Sequence, residues 1–255
     1  MSFALLLAVG AAIGFLGGLV GIGGGLLAIP FLVLALGFEQ QAAQGTALIM
    51  VLPAVLLTLL NYHKHAPIPL KPALAGASTS VVFTWLGAQF ALGMAPVLLQ
   101  QIYALFVLCL ALYYFYQSRW TRHSLATQSA EAKPTSVSIY YFLLVGMIAG
   151  TAGGVFAVGG SVLVVPLLTT VFKFSQFRAQ ALGLTMVVPG IIVALITYAA
   201  HGQVAFFSGL PLAVGSLFLV PYGVRLAYAL AERRLKFIFA FTLLGISFLL
   251  YYSSL

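Results

Sequence analysis

The second half of this chain repeats the first at a constant offset of 136 residues. Gly14-x-x-Gly17-Gly18 and Gly23-Gly24 return as Gly150-x-x-Gly153-Gly154 and Gly159-Gly160. Pro30 returns as Pro166, Gln44 as Gln180, Met50-Val51 as Met186-Val187, Pro53 as Pro189, and Tyr62 and His65 as Tyr198 and His201. Between positions 14 and 65, 19 of 52 aligned positions are identical without a gap, so both halves must fold alike.

Both copies sit in a chain that is 63% hydrophobic and only 5% charged. A soluble domain carries roughly a quarter charged residues, so most of this surface is not built for water. Continuous apolar runs of about twenty residues favour helices over barrel strands, which alternate over about ten. The expected fold is all-α and polytopic, with the lipid bilayer as solvent. The net charge of +8 sits in or beside the connections between apolar runs, among them Lys64, Lys71, Arg119, Arg122, Lys133, Lys173, Arg178, Arg233, Arg234 and Lys236. That is the positive-inside pattern, and no soluble basic domain is present to bind nucleic acid. Cys109 lies in an apolar run and reads as a small core residue. The N-terminus lacks a basic leader and a cleavage site and reads as a retained span.

Eight apolar segments are expected, at 2–36, 42–62, 72–92, 97–116, 138–172, 178–200, 204–222 and 235–252. They form a first transmembrane repeat (1–116), a cytoplasmic linker (117–137) and a second repeat (138–255). Residues 2–36 and 138–172 are too long for one span, and glycines cut each near its middle. Each piece is shorter than the ~20 residues of a comfortable crossing, so a broken helix or a re-entrant hairpin is expected. Charge supports this. If 138–172 crossed once, the basic connections at 173–178 and 223–236 would face outward. If it returns, every basic connection is cytoplasmic, the repeats are inverted and both termini lie outside.

Broken helices are tolerated in membranes only inside protein or along a cavity. A half-helix starting after Gly23-Gly24-Gly25 points free N–H groups and its positive dipole end into the membrane's middle. Gly159-Gly160-Ser161 does so from the other side, with a hydroxyl added. Two such ends converging make an anion site without buried Lys or Arg. The competing structural reading is close helix packing through small residues.

Gln44, Thr46, Asn61 and Tyr62, with Gln180, Thr185, Thr197 and Tyr198, are the next candidates. Neutral Gln and Thr donors are affordable in a dry interior. Gln44, Thr46, Gln180 and Thr185 are assigned to substrate, with Gln44 and Gln180 foremost because they are equivalent. Pro53 and Pro189 are expected to kink their helices as gates. Arg225, opposite Gln89 in the repeat alignment, is placed in a cytoplasmic vestibule. His65 and His201 sit at segment ends and read as interfacial. Four histidines and one cysteine show no metal-ligand spacing, so neither metal nor cofactor is expected.

Glu39, Glu131 and Glu232 are the only acids, and none lies within a span. A proton- or sodium-driven carrier usually places a carboxylate there. An anion leaving a cell that is negative inside gains about 2.3 kcal/mol per charge per 100 mV without one. No nucleophile–base pair suggests an enzyme.

At this point the chain resembles the sulfite exporter TauE/SafE permeases, the TSUP family. The resemblance rests on Gly14 to Gly25 with Pro30, on Ala43-Gln44-Gly45-Thr46-Ala47-Leu48, on Gly150 to Pro166, and on Gly223-Val224-Arg225-Leu226-Ala227. Ala47 stands where the family usually has serine, and Ala181-Leu182-Gly183-Leu184 lacks the Gly-Thr pair. The resemblance implies transport of a small sulfur oxyanion or organosulfonate, such as sulfite or a thiosulfate-like anion. With the inverted repeats and the missing carboxylates, the expectation is an inner-membrane permease working by alternating access, with export favoured and a homo-oligomer allowed. An anion channel of the same build, or a non-transporting membrane partner, are the alternatives.

Overall fold

The computed structural model describes residues 2–20, 24–63, 70–120, 138–172, 174, 176–229 and 232–254. Among them it has ten helices and no strand: α1 (Phe3–Val20), α2 (Gly25–Leu36), α3 (Gln40–His63), α4 (Leu70–Leu92), α5 (Pro96–Trp120), α6 (Ile139–Phe156), α7 (Ser161–Thr170), α8 (Gln176–Ala200), α9 (Phe206–Ala229) and α10 (Glu232–Ser253). The 136-residue shift carries α1–α5 onto α6–α10. Ten helices replace the eight expected segments because 2–36 and 138–172 each break in two. Five helices are long and apolar enough to cross a membrane by length and composition. Large apolar side chains such as Phe90, Phe207, Phe218, Phe241 and Phe248 face outward, which only lipid solvates without penalty.

Glycines set how these helices meet. β-Carbons built on Gly10, Gly14 and Gly18 of α1 would collide with the main chain of Leu212, Ser216 and Val220 of α9, in that order. Shifted by 136, Gly146, Gly150 and Gly154 of α6 meet Gly76, Ser80 and Thr84 of α4 in the same way. With no hydrophobic drive between helices in lipid, such close main-chain approach supplies the packing energy. Each repeat therefore grips the other, its first helix lying against the other's fourth.

The order of these contacts also sets direction. α1 runs parallel to α9, and α6 parallel to α4. α3 runs parallel to α9, since Thr46 Oγ1 near the start of α3 accepts the amide of Ala205 at the start of α9 (3.0 Å). α3 and α4 are antiparallel: Gln41 Nε2 near the start of α3 donates to Ala91 and Met94 carbonyls at the end of α4 (3.3 and 2.8 Å). The equivalent helices α1 and α6 thus point in opposite directions, and the two repeats are inverted.

Segment 2–36 returns to the side it entered. α2 begins beside the middle of α3, where Gly25 meets Val51, and ends three residues before α3 starts. Gly37, at φ 67°, ends it, with its N–H donating to Val33. Segment 138–172 does the same from the opposite face. The helix ends flanking 63–71, 117–137, 173–178 and 223–236 all fall on one face, while 37–41, 93–96 and 200–203 lie on the other.

One expectation needs correction. Cys109 is exposed on the outer face of α5 and not in the core. In a bilayer both sides of a helix are apolar, so hydropathy does not tell core from lipid. Helix α5 runs to Trp120, four residues past the expected end of its apolar segment, since Gln117-Ser118-Arg119 contains no breaker.

Candidate functional site

The two glycine breaks meet at the centre of the molecule. A β-carbon built on Gly25, the first residue of α2, would lie 3.7 Å from both the Ala157 carbonyl oxygen and Val158 Cα in the other break. Val51 of α3 sits between them, 2.7 Å from that position and 3.6 Å from the equivalent one on Gly159. Gly24 (φ 77°), Gly159 (φ 78°) and Gly160 (φ 67°) hold left-handed conformations that turn each chain into its short helix. Ala157 adopts the same region at φ 55°, where the first repeat has Gly21. Both short helices therefore begin in the protein interior, where their first amides lack intrahelical acceptors.

Of the residues expected here, Gly24, Gly25, Gly159, Gly160 and Ser161 are brought together, all buried. Gly23 lies outside the described residues. Ser161 is 2% exposed and its hydroxyl has no partner. Gln44, fully buried, lies seven residues before Val51, roughly 10 Å along α3. Its Oε1 accepts the Tyr198 hydroxyl (2.9 Å), and its Nε2 has no partner.

The remaining candidates make other contacts or stand nearer the surface. Thr46 is engaged with Ala205, and Thr185 Oγ1 donates to its own helix at Ala181 (2.8 Å). Gln180 is half-buried near the start of α8, seven residues before Val187 as Gln44 is before Val51. Thr197 donates to Val193 (2.8 Å), and exposed His201 sets Nδ1 2.8 Å from the Thr197 carbonyl. Arg225 is exposed. Asn61 and Tyr62 lie outside the described side chains, and His65 outside the described residues. Pro53 and Pro189 fall inside α3 and α8, each within three residues of the level where the breaks meet.

A second group of residues was not anticipated. Beside Gly159, the Ser80 and Thr84 side chains of α4 face Gly190 of α8, with Gly153 and Ile191 closing the space. A β-carbon on Gly190 would lie 2.7 Å from Thr84 Oγ1 and 3.0 Å from Ser80 Oγ. As described the space is too narrow for a water molecule. The signal available in sequence was Gly76-x-x-x-Ser80-x-x-x-Thr84, a small and polar stripe down one face of an apolar helix.

The model of the family described as "Sulfite exporter TauE/SafE" matches residues 6–250. The chain is 23% identical to a probable membrane transporter protein of Methanocaldococcus jannaschii over 257 aligned positions, covering 95% of this chain and 92% of the relative. No solved structure matches it.

Proposed function

The chain belongs to the sulfite exporter TauE/SafE family of membrane transporters, and from that premise we propose that it carries a small sulfur-containing anion outward across the inner membrane. Sulfite, an organosulfonate or a thiosulfate-like ion fits the proposal. The observation that carries it is the meeting of the α2 N-terminus, at Gly25, with the break at Ala157–Val158 that leads into α7. Oriented amides and dipole ends favour negative charge there, while Ser161 offers a neutral donor and Gln44 Nε2 a second one, roughly 10 Å away along α3.

The central region is closed among the described residues, as an occluded carrier state requires. Pro53 and Pro189 each remove one hydrogen bond from the helices that flank it. Bending there opens the site to one face and then the other. None of the three glutamates lies in the middle of a span, so outward flux driven by membrane potential needs no coupling carboxylate.

Gly25→Leu tests the site. Gly25 is helical and its nearest neighbour is a side chain, Val51, so the change fills the junction without forcing a left-handed residue. Gly160→Leu is less informative, because its side chain would strike the Ala149 carbonyl and suffer a φ of 67°. We expect G25L to keep a single monodisperse species in detergent and lose anion binding. Unchanged affinity would remove the junction from the mechanism.

A further inference from the structure

The two halves of the central region are equivalent in backbone but not in chemistry. Around the second break stand three hydroxyls, on Ser80, Thr84 and Ser161, with Gly190 leaving room beside the first two. At the positions related by 136 residues stand Ser216, Val220, Gly25 and Ala54. Val220 and Gly25 have no polar side chain, Ala54 occupies the space Gly190 leaves open, and Ser216 Oγ donates to Ala213 (2.8 Å). Every free hydroxyl of the pair of half-sites thus lies on one side.

Ser80 is the informative member. It is 1% exposed, lines the space beside Gly159, and its Oγ has no hydrogen-bond partner. A buried hydroxyl left unpaired at membrane depth is costly unless it serves a ligand. Thr84, one turn on, is 2% exposed and borders the same space. Residues four apart on a helix hold their β-carbons about 5–6 Å apart, which lets two hydroxyls reach different oxygens of one oxyanion. The positive end of α7 lies next to them.

We propose that the anion binds off the pseudo-two-fold axis, in a hydroxyl pocket made by Ser80 and Thr84 against Gly190, beside the start of α7. The ligand class is a small anion with several oxygens on one centre, such as sulfite or a sulfonate head group. This deepens the function proposed above and rests on it. The pocket combines α4 of the first repeat with α6, α8 and the break before α7 of the second, so relative movement of the repeats makes and unmakes it. Pro189, adjacent to Gly190, supplies a bend at the point where the pocket must widen.

The test is isothermal titration of the purified full chain with sulfite, thiosulfate and isethionate. It compares wild type with Ser80→Ala/Thr84→Val, with Gly190→Ala, and with the mirror variant Ser216→Ala. Gly190→Ala removes no hydrogen bond, so it serves if the double variant fails to fold. Loss of two donors to an anion should weaken binding by about tenfold or more. We expect that loss in the double variant and in G190A, with S216A within about twofold of wild type. Wild-type affinity in the two pocket variants, or an equal loss in S216A, overturns the off-axis pocket alone. Wild-type protein that binds none of the three anions overturns the sulfur-anion function, and the pocket assignment with it.

Discussion

The Tyr198 hydroxyl lies 2.9 Å from Gln44 Oε1 and 3.1 Å from the Gly154 carbonyl oxygen. One side chain near the end of α8 thereby ties α3 of the first repeat to the end of α6 in the second. Gly154 is within the last turn of α6, where carbonyls lack intrahelical amides. A single hydroxyl hydrogen serves one of the two acceptors at a time. Tyr198→Phe should lower stability by about 1–2 kcal/mol, read as a reduced thermal midpoint in detergent. In a double-mutant cycle, Gln44→Leu and Tyr198→Phe should be less than additive; strict additivity would show that the two do not interact.

Proline repair is asymmetric between the repeats. Pro30 has no amide to offer the Leu26 carbonyl, and the Tyr103 hydroxyl approaches that oxygen at 3.5 Å. Pro166 leaves Val162 in the same position, but the residue equivalent to Tyr103 is Phe239, which has no hydroxyl. Tyr103→Phe should therefore cost only about 0.5–1 kcal/mol, since the contact is long and the second repeat already lives without it. A loss of several kcal/mol would mean that Tyr103 does more than serve this carbonyl.

Glycines should separate sharply by position. Gly14→Ala forces a β-carbon into the Ser216 main chain, and Gly150→Ala forces one into Ser80. Each should cost more than about 2 kcal/mol or prevent folding, because two backbones must part. Gly245 in α10 has no atom near its missing β-carbon, so Gly245→Ala should be neutral or stabilise by about 0.5–1 kcal/mol. Chemical-denaturant unfolding of the three variants checks the contrast; equal effects would contradict the packing described.

Much of this was legible in the sequence, for identifiable reasons. The 136-residue repeat and the over-long segments gave the hairpins, and the charged connections gave the inversion, because both signals come from chain length and solvent. The breaks at Gly24 and Gly159-Gly160 were legible because few residues other than glycine take a positive φ. Partnering was not. Thr46 accepts the Ala205 amide and Thr185 donates to the Ala181 carbonyl, and nothing in an apolar run tells which polar side chain already has a main-chain partner. Ser80 and Thr84 went unnoticed because their importance depends on Gly190, more than 100 residues away, leaving space for them.

Orientation is open to a direct check. With Cys109→Ala as background, single cysteines at Ser129 and His201 should label from opposite sides of the membrane. His201 is exposed on the face that carries no Lys or Arg connection, and the positive-inside rule places that face outside. An impermeant thiol reagent should reach His201→Cys in intact cells and Ser129→Cys only after permeabilisation. Labelling of both from the same side would contradict the inverted arrangement.

Transport by the purified chain in liposomes tests the central claim most directly. Flux would be followed for sulfite, thiosulfate, isethionate, sulfate and chloride under an imposed membrane potential. The account predicts saturable flux of one or two sulfur anions, faster when the potential drives anions outward through correctly oriented protein, and lost in Gly25→Leu. Equal, non-saturating currents for every small anion would make it a channel, and no flux of any sulfur anion would contradict the function proposed.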